Sequence, residues 1–153
     1  MKKIVSILLL MVIMSGIFPS KTMAVSPVVA VDTEIIFLKD FGMMNVKTVT
    51  AINSVMSDKT GVANVTRTYS ANGMEIATVT LSVTFGFNGS NVWVISKSVT
   101  KNVSSGWTYS GQKVSLNGGT VTLTAQLSHR DPTTFVQVPV EITVTCTPTG
   151  QIS

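Results

Sequence analysis

The segment ATVTLSVTFGF, residues 77–87, determines the fold class, because its apolar side chains recur at every second position. Threonine and serine fill most of the positions between them. A period of two with one apolar face is typical of a β-strand that buries one face and leaves the other in water. Residues 136–146 repeat the pattern near the C-terminal end. The chain is therefore predicted to be built from half-buried strands.

Turn-forming residues separate this stretch from its neighbours. Asn72-Gly73 and Asn117-Gly118-Gly119 are sequences that favour tight hairpin turns, since Asn and Gly tolerate positive φ angles. Asn and Gly also cluster at residues 88–91, and Pro132 lies in an Arg-Asp-Pro-Thr turn at residues 130–133. The regular spacing of these turns predicts strands joined by short connections.

The predicted strands between the turns fill most of the chain. They cover residues 62–69, 77–87, 92–103, 113–116, 120–127 and 136–146. Residues 33–38 and 46–56 are further predicted strands, although helical and strand spacings are mixed there. Trp93, Ile95 and Val99 are predicted to share one side of their strand. Seven or eight short strands with frequent turns predict an all-β fold, a single antiparallel Ig-like β-sandwich over residues 25–153.

Two residues of the last alternating segment have structural consequences. Cys146 is the only cysteine and falls on the apolar face, so it is predicted to be a buried thiol that forms no disulfide. Pro139 cannot donate a hydrogen bond to a neighbouring strand. Its strand is therefore predicted to lie at a sheet edge or to contain a bulge.

The N-terminal segment has the order of a secretory signal. Lys2 and Lys3 precede an apolar run over residues 4–18, and Thr22-Met23-Ala24 places small residues before a cut after Ala24. The run of about fifteen residues is shorter than the roughly 20 needed to cross a bilayer. Residues 1–24 are therefore predicted to be a cleaved signal peptide, and the remaining chain to be secreted without a stable membrane anchor.

Charge and composition disfavour several classes of partner. The formal net charge of the chain is +4, and removal of Lys2, Lys3 and Lys21 lowers it to about +1. No basic cluster remains that could neutralise a row of phosphates, so nucleic acid is not an expected partner. One histidine and one cysteine do not supply a zinc site. No metal ion or cofactor is expected.

No residue is assigned a catalytic role. His129 falls at a predicted turn, where its ring is expected to be solvated and free of partners. Cys146 lies on an apolar strand face, which does not favour the thiolate that a thiol enzyme needs. A glycosidase needs two carboxyl groups facing a cleft, and the sequence leaves that arrangement open. The protein is predicted not to be an enzyme, with a thiol enzyme and a glycosidase as the alternatives that stay open.

Two aromatic side chains are the candidate binding residues. Trp107 and Tyr109 lie in Ser105-Gly106-Trp107-Thr108-Tyr109-Ser110-Gly111, and their spacing puts both rings on one side of an extended segment. Rings flanked by Gly and Ser can stack on a sugar. The alternative is that they cap one end of the core, as Trp and Tyr often do.

Two short segments carry a likeness to known proteins. Ser115-Leu116-Asn117-Gly118-Gly119-Thr120 and Thr145-Cys146-Thr147-Pro148-Thr149-Gly150 resemble small, uncharacterised exported proteins of Gram-positive bacteria with Ig-like sandwiches. The resemblance covers about the last fifty residues. It implies a fold and an extracellular location but no activity.

The sequence therefore predicts a secreted, non-enzymatic β-sandwich with a structural or binding role outside the cell. The expected partner is an extracellular ligand, such as a glycan or a cell-surface component. A carbohydrate-binding module that uses Trp107 and Tyr109 is the first alternative. A small secreted toxin or bacteriocin is the second, although the sequence lacks the amphipathic basic helix typical of a membrane-active peptide.

Overall fold

The computed structural model describes residues 28–39, 41–55 and 59–153, which form eight antiparallel β-strands and no helix. The strands are β1 (Val28–Leu38), β2 (Gly42–Val55), β3 (Thr60–Ala71), β4 (Met74–Phe87), β5 (Val92–Val103), β6 (Trp107–Asn117), β7 (Thr120–Arg130) and β8 (Phe135–Thr145). The predicted signal peptide, residues 1–24, lies outside the described residues. Within those residues, no helix is long and apolar enough to cross a membrane.

The strands form two sheets in which each strand pairs only with its neighbours along the chain. One sheet has five strands in the order β1-β2-β3-β4-β5, and the other has three in the order β6-β7-β8. This confirms the prediction of an all-β fold of seven or eight antiparallel strands. β1 and β2 begin at Val28 and Gly42, before the predicted starts at residues 33 and 46, because the two strands pair with each other over these added residues.

Local turn chemistry explains the hairpins. Asn72 and Gly73 have φ angles of 52° and 77°, so both central residues of the β3–β4 turn have the positive φ that a two-residue hairpin needs. Between β4 and β5, the Asn88 side chain accepts hydrogen bonds from the backbone N–H groups of Ser90 and Asn91, at 3.0 and 2.7 Å. These turns follow the sequence prediction.

A bulge in β5 overturns one prediction about side-chain direction. Phe85 pairs with Val94 and Thr84 pairs with Ser96, so Ile95 is an extra residue with no partner on β4. An inserted residue reverses the alternation of faces. Trp93 therefore lies over Gly86 on the outer face, while Val99 pairs with the buried Leu81 on the inner face. The prediction that Trp93, Ile95 and Val99 share one side is wrong for this reason.

The buried side chains of both sheets belong to one apolar cluster. The alternating face of β4 is fully buried there, and every second residue of β8 from Val136 to Val144 is buried as well. The largest fully buried members are Tyr69, Phe85, Met44, Leu81, Leu123, Leu127 and Ile142. Strand β3 approaches strand β8 and β5 approaches β6, so residues of the two sheets meet in this cluster.

Pro139 lies in β8, a strand at the edge of the three-stranded sheet. Pro139 pairs with Gln126 of β7, and no other strand of the described part of the chain pairs with β8, whose last residue, Thr145, exchanges backbone hydrogen bonds with Ser153. The missing N–H of Pro139 therefore costs no hydrogen bond at a sheet interior. The prediction of an edge strand is confirmed.

Cys146 follows β8 directly and is buried with a free thiol. Its Sγ donates a weak hydrogen bond to the Thr147 carbonyl oxygen at 3.4 Å, and burial raises the pKa of the thiol. Both effects reduce the fraction of reactive thiolate.

We therefore expect a thiol reagent to label Cys146 slowly in the native protein and rapidly in denaturant. The comparison of the two rates by mass spectrometry measures how well the core shields the thiol. Equal rates in the two conditions, or a covalent dimer in a non-reducing gel, would show that Cys146 is accessible and that β8 has a different register.

Candidate functional site

The predicted binding residue Trp107 belongs to an aromatic cluster formed by Phe41, Trp107 and His129. Trp107 begins β6 and pairs with His129 of β7. The two rings stack with centroids 5.2 Å apart and planes 28° apart. Phe41, in the turn between β1 and β2, packs edge-to-face against the Trp107 ring, with the two ring centroids 5.4 Å apart. The cluster therefore joins the first hairpin to the three-stranded sheet.

His129 is held on two sides, which differs from the predicted solvated and unconstrained ring. Its Nδ1 lies 2.7 Å from the Gly106 carbonyl oxygen, and its Nε2 lies 3.7 Å from Asp131 Oδ2. Only 23% of its side chain is exposed. The sequence places His129 near a turn, but strand β7 continues to Arg130, so the ring points along the sheet face toward Trp107.

Asp131 organises the turn that follows His129. Its carboxylate accepts hydrogen bonds from the backbone N–H groups of Thr133 and Thr134, at 2.9 and 2.7 Å. These bonds, led by the one from the Thr133 backbone, lower the pKa of Asp131 below its ordinary value. The turn hydrogen bonds engage Asp131 Oδ1, whereas Oδ2 faces His129 Nε2 at 3.7 Å, which is beyond hydrogen-bond distance, so the pair resembles two members of a catalytic triad in residue type only.

Tyr109 lies two residues beyond Trp107 and is half-buried against the core. Lys101 of β5 places its Nζ 4.3 Å from the centre of the Tyr109 ring, a cation–π contact. The hydroxyl groups of Tyr109 and Tyr69 are both buried, and neither has a hydrogen-bond partner among the described residues. Burial raises the pKa of both phenols, and the nearby Tyr69 raises that of Tyr109 further.

The structure thus brings Trp107 and Tyr109 onto the core-facing side of β6. Tyr109 pairs with the fully buried Leu127, and both aromatic rings pack against the core cluster. One face of the Trp107 ring is covered by His129. This arrangement matches the alternative in which the two rings cap one end of the core.

Hydroxyl-bearing side chains line the outer face of β3 and β4 in the five-stranded sheet. Thr66 and Thr80 on neighbouring strands place their Oγ1 atoms 2.9 Å apart, and those of Thr68 and Thr78 are 3.4 Å apart. These threonines therefore pair across β3 and β4, as is typical of solvent-facing strand residues.

An exposed apolar strip on β1 and β2 was missed by the sequence analysis. Every second residue of β1 on the outer face except Thr33 is apolar, and Met43 of β2 lies opposite Phe37. We call this set the apolar strip: Val29, Val31, Ile35, Phe37 and Met43. Phe37 is 78% exposed. Exposed apolar side chains grouped on one strand face are typical of contact surfaces.

The described residues contain no group of three or more His, Cys, Asp or Glu side chains placed to hold a metal ion. Comparisons of the chain with protein-family models, with curated proteins and with solved structures gave no match.

Proposed function

We propose that this chain is a secreted, non-enzymatic β-sandwich protein whose role outside the cell is structural or binding, and that the apolar strip is its contact surface. The observation that carries the proposal is the exposure of Val31, Ile35 and Phe37 on one face of an edge strand. An apolar side chain in water gains free energy when a partner covers it. A fold that leaves several of them in one row therefore has a surface suited to association.

The sandwich arrangement is supported by the shared core cluster of the two sheets. The likeness to Ig domains is limited to the presence of two sheets and does not extend to the strand order. Ig sandwiches have Greek-key connections, whereas here every pairing joins strands that are consecutive along the chain. The secreted location is supported by the Lys2-Lys3 start, the apolar run and the Thr22-Met23-Ala24 cut site.

A carbohydrate-binding role through Trp107 and Tyr109 is the alternative. Stacking on a sugar requires an uncovered ring face, and His129 occupies one face of Trp107. Tyr109 is half-buried against the core, so less of its ring face is open to a sugar. The contact-surface role is favoured because its side chains are already exposed.

We expect a photo-reactive phenylalanine at position 37 to cross-link the protein to its partner. Benzoylphenylalanine is introduced in place of Phe37 in the full chain, the protein is incubated with cells of the producing organism, and light is applied. A product of defined mass, identified by mass spectrometry, is the expected result because Phe37 is the most exposed side chain of the apolar strip.

Phe135 offers a matched control, because it is also exposed but belongs to the three-stranded sheet outside the apolar strip. The same photo-reactive residue at position 135 is expected to give no such product. Absence of a product at position 37, or equal products at both positions, would contradict the proposed contact surface.

A further inference from the structure

We propose that the partner of strand β1 is strand β5 of a second copy of this chain, so that the five-stranded sheet continues from one molecule into the next. This inference rests on the proposed function and identifies a partner for the edge of the same strand, β1.

Two of the four sheet edges carry features that hinder pairing with another strand. β8 contains Pro139, and the register of β6 shifts between Ser110 and Lys113. β5 has a bulge at Ile95, but its residues from Lys97 to Val103 pair with β4 without interruption, and its two lysines oppose pairing only with a second β5. Natural proteins use proline, bulges and lysine to prevent sheet edges from associating.

Strand β1 has none of these features. Its pairing with β2 runs without interruption from Val28 to Leu38, and it contains no proline and no lysine. Its outer edge pairs with no strand within the described ranges. A long, regular and apolar edge strand offers a row of free backbone groups to an incoming strand.

The charges on the two edges of the five-stranded sheet are complementary. The charged side chains of β1 are Asp32 and Glu34, and those of β5 are Lys97 and Lys101; all four are exposed. None of them forms an ion pair with any described residue. Opposite charges on neighbouring strands stabilise their pairing, and like charges directly opposite destabilise it.

The register places these four side chains on the same face of the sheet. The row of paired residues that begins at Asp32 runs through Thr48, Arg67 and Val79 and ends at Lys101. The row that ends at Lys97 begins at Val28. A second copy that continues the sheet without a shift along the strands therefore brings its Asp32 beside Lys101.

Charge also decides between the possible ways of joining two copies. Pairing β1 with β1 brings four carboxylates together, and pairing β5 with β5 brings four ammonium groups together. Only β1 with β5 joins opposite charges. Because β1 and β5 run in the same direction in an antiparallel five-stranded sheet, the new pair is parallel. A head-to-tail contact between unlike surfaces produces an open chain of molecules or a closed ring.

Two charge variants of the full chain test this assembly. The acidic variant carries Lys97→Glu and Lys101→Glu, and the basic variant carries Asp32→Lys and Glu34→Lys. Sedimentation velocity at low ionic strength is expected to show wild-type species whose masses are multiples of the 16.3 kDa chain mass, or of the mass of the processed chain. The fraction of protein in the larger species should increase with protein concentration. Each variant alone has like charges at both edges, so it should need at least about tenfold more protein to assemble.

An equimolar mixture of the two variants is expected to restore assembly, because every β1–β5 junction in the mixture again joins opposite charges. Lys113→Glu is the matched control, since Lys113 is exposed on β6 and its substitution should leave assembly unchanged. Wild-type protein that remains a single chain at all concentrations would overturn the inference. Assembly of either variant alone at the wild-type concentration would overturn it too, in favour of pairing between identical edges.

The cross-linking experiment at Phe37 separates this inference from the proposed function. A cross-link to a different protein, together with a monomeric wild type, rejects the second copy as partner but retains the contact surface. A cross-link within one chain rejects both, since the edge would then be covered by the chain itself. A cross-linked pair of copies supports both.

Discussion

Trp107→Ala is expected to lower the free energy of unfolding by about 3 kcal/mol, at the lower end of the range of about 3–5 kcal/mol for large aromatic truncations. The lower end applies because the ring is only half-buried. The substitution removes the stack on His129 and the edge contact with Phe41. It therefore detaches the β1–β2 turn from the three-stranded sheet. Urea denaturation followed by circular dichroism measures the loss.

Trp93 is the matched control, because it is the other tryptophan and lies on the outer face of β5 with 47% of its surface exposed. Trp93→Ala is expected to cost about 1 kcal/mol or less. The carbohydrate alternative predicts the reverse pattern for Trp107→Ala, with glycan binding abolished on a glycan array and the stability kept. A stable Trp107→Ala protein whose parent binds a glycan would therefore reject the core-cap role of Trp107.

Phe85→Ala is expected to cost about 3–5 kcal/mol, because the Phe85 side chain is fully buried and its removal leaves a cavity. Phe37→Ala is the control with the same chemistry at an exposed site, and it should change stability by about 0.5 kcal/mol or less. The difference between the two losses of unfolding free energy measures how much more the side chain of Phe85 is buried than that of Phe37.

The two tryptophans allow the same experiment to test the sandwich. Trp93 belongs to the five-stranded sheet and Trp107 to the three-stranded sheet, so Trp107→Phe and Trp93→Phe backgrounds each leave one fluorescent reporter. If the sheets share one core, Phe85→Ala shifts both reporters to the same new unfolding midpoint. A shift of the Trp93 reporter alone would show that the sheets unfold independently and do not form a sandwich.

Local pattern was sufficient to predict the strands whose two faces differ in polarity. Residues 77–87 and 136–146 alternate because one face is buried and the other is wet, and both form strands of that kind. The hairpin turn at Asn72-Gly73 was predictable for a similar reason, since it depends only on the φ preferences of two residues.

The remaining features depend on contacts between distant parts of the chain. The bulge at Ile95 leaves no trace in composition, yet it reverses the faces of Trp93 and Val99. His129 was expected to be free because the stack on Trp107 exists only once β6 and β7 pair. The complementarity of Asp32 and Lys101 likewise requires the register of four strand pairs, which the sequence does not reveal.

The consecutive order of the strands also bears on how fast the chain finds its fold. Each strand pairs with the strand that precedes or follows it, and most of the turns are short. Short loops cost little closure entropy, and folding rates fall as the mean separation of contacting residues grows. Greek-key sandwiches must wait for distant strands to meet, whereas here each hairpin can form as soon as its second strand is available. The protein should therefore fold at the fast end of the range for all-β domains.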